Sequence, residues 1–257
     1  MSTDRIALSL VLPAYNEAGR LPPYLAAVRE HLDRRYADGY EVIVVDDGSK
    51  DGLVPLLERS AADWPRLRWL RHPHNQGKGA AVRTGILAAE GRLLLFADAD
   101  GATPIDEECR LAEAIRGGAG LAIGSRLVPA AGVARSRSPV RQLTGRLFAA
   151  VARRVMGLAV RDTQCGFKMF RRDVGRHLFS LAREPGYLFD LEVLALARRF
   201  GYEVAEVPIR WSEMPGGHLS LAREFPRIVL DLSRLRRRLR REAGAAHPPR
   251  EGSHQET

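Results

Sequence analysis

Residues 92–101 read Arg-Leu-Leu-Leu-Phe-Ala-Asp-Ala-Asp-Gly, and the fold is decided there. The run from Arg92 to Ala97 is short and apolar and is bounded by Gly91 and Gly101, which predicts a buried strand rather than a helix. It delivers Asp98 and Asp100, one residue apart, to the strand's carboxyl end, where open α/β sheets bind their ligands. Two neighbouring carboxylates suit a hard cation such as Mg²⁺ or Mn²⁺, whose remaining ligands can be substrate phosphate oxygens. Asp and Gly also form ordinary solvated turns, so this pair alone leaves both readings open.

Outward from this strand, apolar runs and helical patterns alternate. Strands are expected at Ile6–Leu12, Glu41–Val45, Leu67–Leu70 and Gly120–Ser125, with helices at about Pro22–Arg34, Leu53–Ala62, from Gly79 to Ala89 and at Ile105–Arg116. That alternation predicts an α/β fold, a Rossmann-like, mostly parallel sheet with helices on both faces. Each polar cluster follows a strand, so Glu17, Asp46, Asp47, Lys78, Asp98 and Asp100 should converge on one sheet edge. No Gly-x-Gly-x-x-Gly follows the first strand, and Gly77-Lys78-Gly79 lacks the spacing of a P-loop. A nucleotide site built on carboxylates and a metal remains, with Gly77 and Gly79 allowing close backbone approach.

The second half is less regular. Val128–Pro139 is a Pro/Gly/Ala/Ser-rich connection, Arg141–Met156 and Tyr187–Phe200 have helical patterns, and Tyr202–Trp211 alternates as a strand. Leu221, Phe225, Ile228, Leu232, Leu235 and Leu239 form one apolar stripe under a dense set of arginines. The expected organisation is a catalytic domain over 1–218, a basic amphipathic helix over 219–242 and a disordered tail over 243–257. Such a helix can lie on an anionic membrane surface or pack on its own domain.

The 257 residues carry a net charge of +9, and eight arginines against three acids stand between Arg223 and Glu242. A binding module for nucleic acid is a possible use of that charge, but the basic segments lack interleaved aromatics for stacking bases, which argues against a nucleic-acid partner. No apolar run approaches the ~20 residues of a spanning helix. Cys109 and Cys165 fit neither a metal motif nor a disulfide framework, and no histidine near Cys165 supports a nucleophile. These features suit a cytoplasmic protein peripheral to a membrane.

Leu12-Pro13-Ala14-Tyr15-Asn16-Glu17, Val45-Asp46-Asp47-Gly48-Ser49-Lys50-Asp51-Gly52, Asn75-Gln76-Gly77-Lys78-Gly79 and Asp98-Ala99-Asp100 occur in that order. Together they resemble the family 2 glycosyltransferases of GT-A fold. Asp162-Thr163-Gln164-Cys165-Gly166-Phe167-Lys168 and Phe189-Asp190-Leu191-Glu192 narrow the resemblance to dolichyl-phosphate β-glucosyltransferases and bacterial polyprenyl-phosphate relatives. The resemblance implies that Pro13, Tyr15, Glu17 and Asp46 hold the nucleoside of a sugar nucleotide, UDP-glucose in the nearest relatives. Lys78 and Asp98 would frame its base, ribose and diphosphate, with Gly77 beside them, and Asp100, with Asp98, would hold the metal. Relatives carry membrane anchors or spans and none is expected here, so access to a lipid acceptor is expected to rest on peripheral binding.

The expected reaction is inverting transfer of a hexose to a polyprenyl phosphate. The acceptor phosphate is already largely anionic at neutral pH, its second pKa being ~6, so binding the dianion is the harder task, for which Arg126 and Arg141 are candidates. Transfer to a soluble or polysaccharide hydroxyl is the alternative, and it requires a carboxylate base, with Asp162 first and Asp190 second.

Overall fold

The computed structural model describes residues 6–129, 150–214 and 230–241, together with the backbone of 135–136. Seven strands form one sheet: β1 (Leu8–Ala14), β2 (Tyr40–Asp46), β3 (Leu67–Arg71), β4 (Leu93–Ala97), β5 (Leu121–Ser125), β7 (Phe167–Arg171) and β8 (Val204–Pro208). Their order across the sheet is β3-β2-β1-β4-β7-β5-β8. All neighbours run parallel except β7, which is antiparallel to both β4 and β5. A second, two-stranded sheet pairs β6 (Arg135–Ser136) with β9 (Trp211–Ser212).

The helices divide between the two faces, as the alternation of strand and helix predicts. On one face Leu8, Leu10, Leu12, Val42, Val44 and Leu95 pack under α1 (Leu21–Tyr36), α2 (Leu53–Asp63) and α4 (Glu108–Arg116). On the other, Val11, Ile43, Val45, Leu94 and Phe96 meet α3 (Lys78–Ala88), α5 (Arg172–Leu181) and α6 (Phe189–Arg199). Successive strand residues serve opposite cores because side chains alternate across a sheet, so both faces of β1, β2 and β4 are apolar. The small residues of α3 let it sit close to the sheet: a Cβ on Gly85 would lie 2.3 Å from a Val11 methyl.

Strand β7 and helix α5 have no counterpart among the elements expected from sequence. Phe-Lys-Met-Phe-Arg is an atypical buried strand because Lys168 stands inside it, yet Lys168 is 1 % exposed. Its charge is tolerated because Asp190, on α6, lies 2.6 Å from Nζ, and Cys165 O accepts a second bond at 2.6 Å. The strand expected over Tyr202–Trp211 divides into β8 and β9.

Residues 230–241 are helical, and Leu232 and Leu235 are buried in the core of the α3 face, with Leu239 packed beside them. Within this stretch the apolar stripe is thus covered by the protein itself. The earlier part of the expected helix, 219–229, and the tail over 243–257 lie outside the described residues. So do the connection over 130–134, Arg141 and the helical pattern up to 149, while 150–156 are helical.

Candidate active site

The parallel strands β1, β2 and β4 end together, and their following loops are stitched to one another. Asn16 sits in the left-handed region, φ 56°, and its N–H donates to Ser49 Oγ at 2.9 Å while its Oδ1 accepts the Lys50 N–H at 2.9 Å. The Ala18 N–H reaches Asp51 Oδ2 at 2.8 Å. Glu17 is clasped by Arg20 at 2.5 and 2.7 Å, whereas Tyr15 is 40 % exposed at the mouth.

Asp46 and Asp47 have different tasks. Asp47, 2 % exposed, organises the third loop: Oδ1 meets His72 Nδ1 at 2.7 Å and the Gln76 N–H at 2.9 Å, and Oδ2 accepts the Gly77 N–H at 2.8 Å. Asp46 is fully buried, and its Oδ1 accepts the Ser49 N–H at 2.8 Å. Its Oδ2 faces Arg71 Nε at 3.1 Å but has no hydrogen bond among the described residues. A buried carboxylate oxygen without a donor is costly, so this atom is suited to an N–H supplied by a ligand.

Asp98 and Asp100 stand just beyond β4, as the sequence places them. Lys78 Nζ lies 2.5 Å from Asp98 Oδ1. Burial works against the ammonium of Lys78, but the carboxylates of Asp98 and Asp190 outweigh it and hold the group charged well above the usual lysine range. Asp100 accepts the Ala102 N–H at 3.0 Å, and burial together with the charge of Asp98 raises its carboxyl above the ordinary value. Below them Tyr24 packs against Gly101, and its buried hydroxyl has no partner among the described residues. Asp98 and Asp100 with their single nearby lysine are carboxylates in excess of cation, a donor set that fits a hard divalent ion.

Two glycines shape this crevice by leaving space. A Cβ on Gly166 would stand 2.0 Å from Asp98 Oδ2, so the Asp98 carboxylate rests directly on the Gly166 backbone, whose carbonyl also accepts the Asp98 N–H at 2.9 Å. At Gly77 the space is filled by Pro185 O, 2.4 Å from the notional Cβ, and at Gly79 by Glu184 O at the same distance. At both positions the space a side chain would need is taken by the 184–186 turn. Glu192 secures that turn by accepting the N–H groups of Arg183 and Glu184 at 2.9 and 2.6 Å.

The structure joins Asp162 and Arg126, which sequence reasoning assigned to separate tasks. Arg126 Nε and Nη2 both donate to the Asp162 carboxylate at 2.8 Å, as does its backbone N–H, and the guanidinium stacks 5.5 Å from the Trp211 ring centroid. Burial would raise the Asp162 carboxyl, but Arg126 outweighs burial and holds it below the usual range. An ion-paired, buried carboxylate is a poor base, and Arg126 has two of its donor groups committed. Asp190 is likewise tied to Lys168. Both acids, expected as candidate bases, are thus closed in ion pairs in this arrangement, and Arg141 lies outside the described residues. The Cys165 thiol is pushed up to about 12 by burial, which makes it inert as a nucleophile.

Gly166, Tyr24 and Glu206 are site residues that the sequence reading did not single out. Glu206 accepts Ser125 Oγ–H at 2.7 Å and the N–H groups of Arg161 and Asp162 at 2.8 Å, so it sets the loop that carries Asp162. An acid within an alternating strand was the available signal for it. Gly166, between Cys165 and Phe167, offered none beyond its identity.

Residues 9–179 match the model of the family described as glycosyl transferase family 2. Among curated proteins the chain is 38 % identical over 229 residues to the dolichyl-phosphate beta-glucosyltransferase of Drosophila melanogaster, covering 84 % of this chain and 70 % of that one. It is 36 % identical over 230 residues to one from Trichomonas vaginalis, covering 86 % and 68 %, and 34 % identical over 224 residues to that of Homo sapiens, covering 82 % and 69 %. Among solved structures, glucosyl-3-phosphoglycerate synthase from Mycobacterium tuberculosis, in complex with Mn²⁺, UDP-glucose and phosphoglyceric acid, aligns with a TM-score of 0.67. That alignment covers 90 % of this chain and 79 % of the other at 23 % identity, a likeness of fold.

Proposed function

This chain belongs to glycosyl transferase family 2, a glycosyltransferase on that ground, and from that membership we propose that it transfers glucose from UDP-glucose to a polyprenyl phosphate, with inversion and with a divalent metal. The observation that carries the reading is the crevice at the ends of β1, β2 and β4, where Asp98, paired to Lys78, stands beside Asp100, which has no ion pair among the described residues. The relatives' names supply glucose and a dolichyl phosphate, and the solved structures, crystallised with UDP and Mn²⁺ or Mg²⁺, supply the donor and metal class.

Asp46 Oδ2 is the acceptor available to a nucleobase N–H, and Tyr15, exposed at the mouth beside Pro13, is placed to cover the base. Glu17, held by Arg20, borders the same mouth. Asp98 and Asp100 would hold Mg²⁺ or Mn²⁺, which supplies Lewis-acid stabilisation of the diphosphate as it leaves. Lys78 adds a fixed positive charge on the same side, and its charge is secured by Asp98 and Asp190.

In the reaction a phosphate oxygen of the acceptor bonds to the anomeric carbon as the bond from that carbon to the diphosphate breaks. The acceptor oxygen is already anionic, so no side chain has to remove a proton, consistent with Asp162 and Asp190 both being closed in ion pairs. That closure is what favours a phosphate over a hydroxyl acceptor.

The test is transfer of labelled glucose from UDP-glucose to polyprenyl phosphate, with GDP-mannose in parallel. Glycolipid should form from UDP-glucose, stop on chelation, return with Mn²⁺ or Mg²⁺, and be lost in Asp100→Asn. UDP release with a hydroxyl acceptor and none with polyprenyl phosphate would overturn the acceptor assignment.

A further inference from the structure

Residues 230–241 present two opposed faces. Leu232 and Leu235, 1 % and 3 % exposed, are buried in the domain core. Arg234, Arg237, Arg238 and Arg241 recur at i, i+3, i+4 and i+7, which places them on one stripe of the helix, and together they line a cavity of about 420 Å³. Arg234 pairs with Asp231 at 3.0 Å and Arg238 with Glu192 at 2.6 Å. Within the stripe, Arg237 and Arg241 have no carboxylate partner among the described residues.

We infer that this arginine face is a docking surface for the phosphate headgroups of an anionic lipid bilayer. The inference rests on the lipid-acceptor reading above and adds to it how the enzyme meets its acceptor. Guanidinium groups match phosphate geometry bidentately, and a row of them with few acids attracts a negatively charged plane. The helix carries no aromatic side chain for stacking bases, which favours lipid over a nucleic acid. Because Leu232 and Leu235 are buried in the protein and Leu230 is the one exposed leucine among the described residues of this stretch, attachment is carried mainly by charge, unlike an amphipathic helix that buries a whole apolar face in the bilayer.

The surface is also fixed relative to the crevice. Arg238 grips Glu192, Glu192 holds the backbone of Arg183 and Glu184, and the following Pro185 carbonyl covers Gly77 beside Lys78. A bilayer bound on the arginine face therefore meets the catalytic domain in one orientation.

The test compares the full chain with R237Q/R241Q, the two arginines of the stripe that are not paired to Asp231 or Glu192. Co-sedimentation is measured with vesicles of phosphatidylcholine alone and with 30 % phosphatidylglycerol. The wild type should bind only the anionic vesicles and be released by about 0.5 M salt, and the variant's partition should fall roughly 10- to 30-fold. Glucose transfer to a short, water-soluble prenyl phosphate should be unchanged in the variant, while transfer to acceptor embedded in anionic vesicles should drop. Indifference of the wild type to anionic lipid, or undiminished binding by the variant, overturns the surface. Binding that follows the prediction with no transfer to any prenyl phosphate upholds the surface and overturns the acceptor reading instead.

Discussion

Gly166→Ala is the substitution whose effect can be worked out most directly from the crevice. Gly166 does not adopt a positive φ, so alanine brings no backbone strain. Its methyl, however, would stand 2.0 Å from Asp98 Oδ2 and 2.3 Å from Cγ, whereas ordinary contact begins at 3.4 Å. The carboxylate must retreat by about 1.4 Å or rotate away, and either movement separates it from Lys78 and from any metal it shares with Asp100. The displaced atoms are the end of a side chain rather than backbone, so the fold should survive with a melting temperature close to that of the wild type. Misplacement of a catalytic group by ~1 Å costs on the order of 10²-fold in rate, which corresponds to ~2.7 kcal/mol of barrier. The assay is the initial rate of UDP release from UDP-glucose with Mn²⁺ and polyprenyl phosphate, with calorimetric Mn²⁺ affinity alongside. An alanine variant within threefold of wild type in both measurements would refute the reasoning that Asp98 needs this seat.

Lys168→Met should destabilise the protein by roughly 3–5 kcal/mol in denaturant unfolding, because it leaves the Asp190 carboxylate buried without its cation; loss of activity without loss of stability would contradict the structural role. Arg126→Gln should weaken stability most at neutral pH. The Asp162 carboxyl is held low in the fold, so the pair's stabilisation is present above the unfolded value of about 3.9 and is lost, wild type and variant converging, as pH falls through its lowered folded value. Asp46→Asn should raise the KM for UDP-glucose about 10- to 100-fold with a smaller change in kcat, since a hydrogen bond to a charged group is worth ~1.5–3 kcal/mol; an unchanged KM would remove Asp46 from the nucleoside site.

The parallel core was legible because its strands are apolar on both faces and each is followed by a polar turn, so Asp46, Lys78, Asp98 and Asp100 could be placed at one edge before any coordinates. Strand β7 was not, because Lys168 breaks the apolar run and the compensating charge, Asp190, is 22 residues away in sequence. The same long-range pairing hid the state of Asp162. Its acidity in isolation suggests a base, and only the fold shows Arg126 closing on it from 36 residues away. The turn against Gly77 was hidden for a related reason: a glycine beside a lysine signals close approach, and the Pro185 carbonyl that fills the space of its side chain lies over 100 residues away.

Those pairings also explain why the crevice can receive a metal and a diphosphate together. Lys168 is paired to Asp190 and Lys78 to Asp98, which leaves Asp100 as the acid of the crevice with no ion pair of its own among the described residues. A divalent ion reverses that deficit to an excess of one positive charge. The diphosphate then enters a site that is positive only when the metal is present. Donor binding should accordingly depend on metal in wild type and much less so in Asp100→Asn, where that carboxylate is absent. Calorimetric titration of UDP with and without Mn²⁺ distinguishes the two cases, and equal metal dependence in both proteins would show that the balance is set elsewhere.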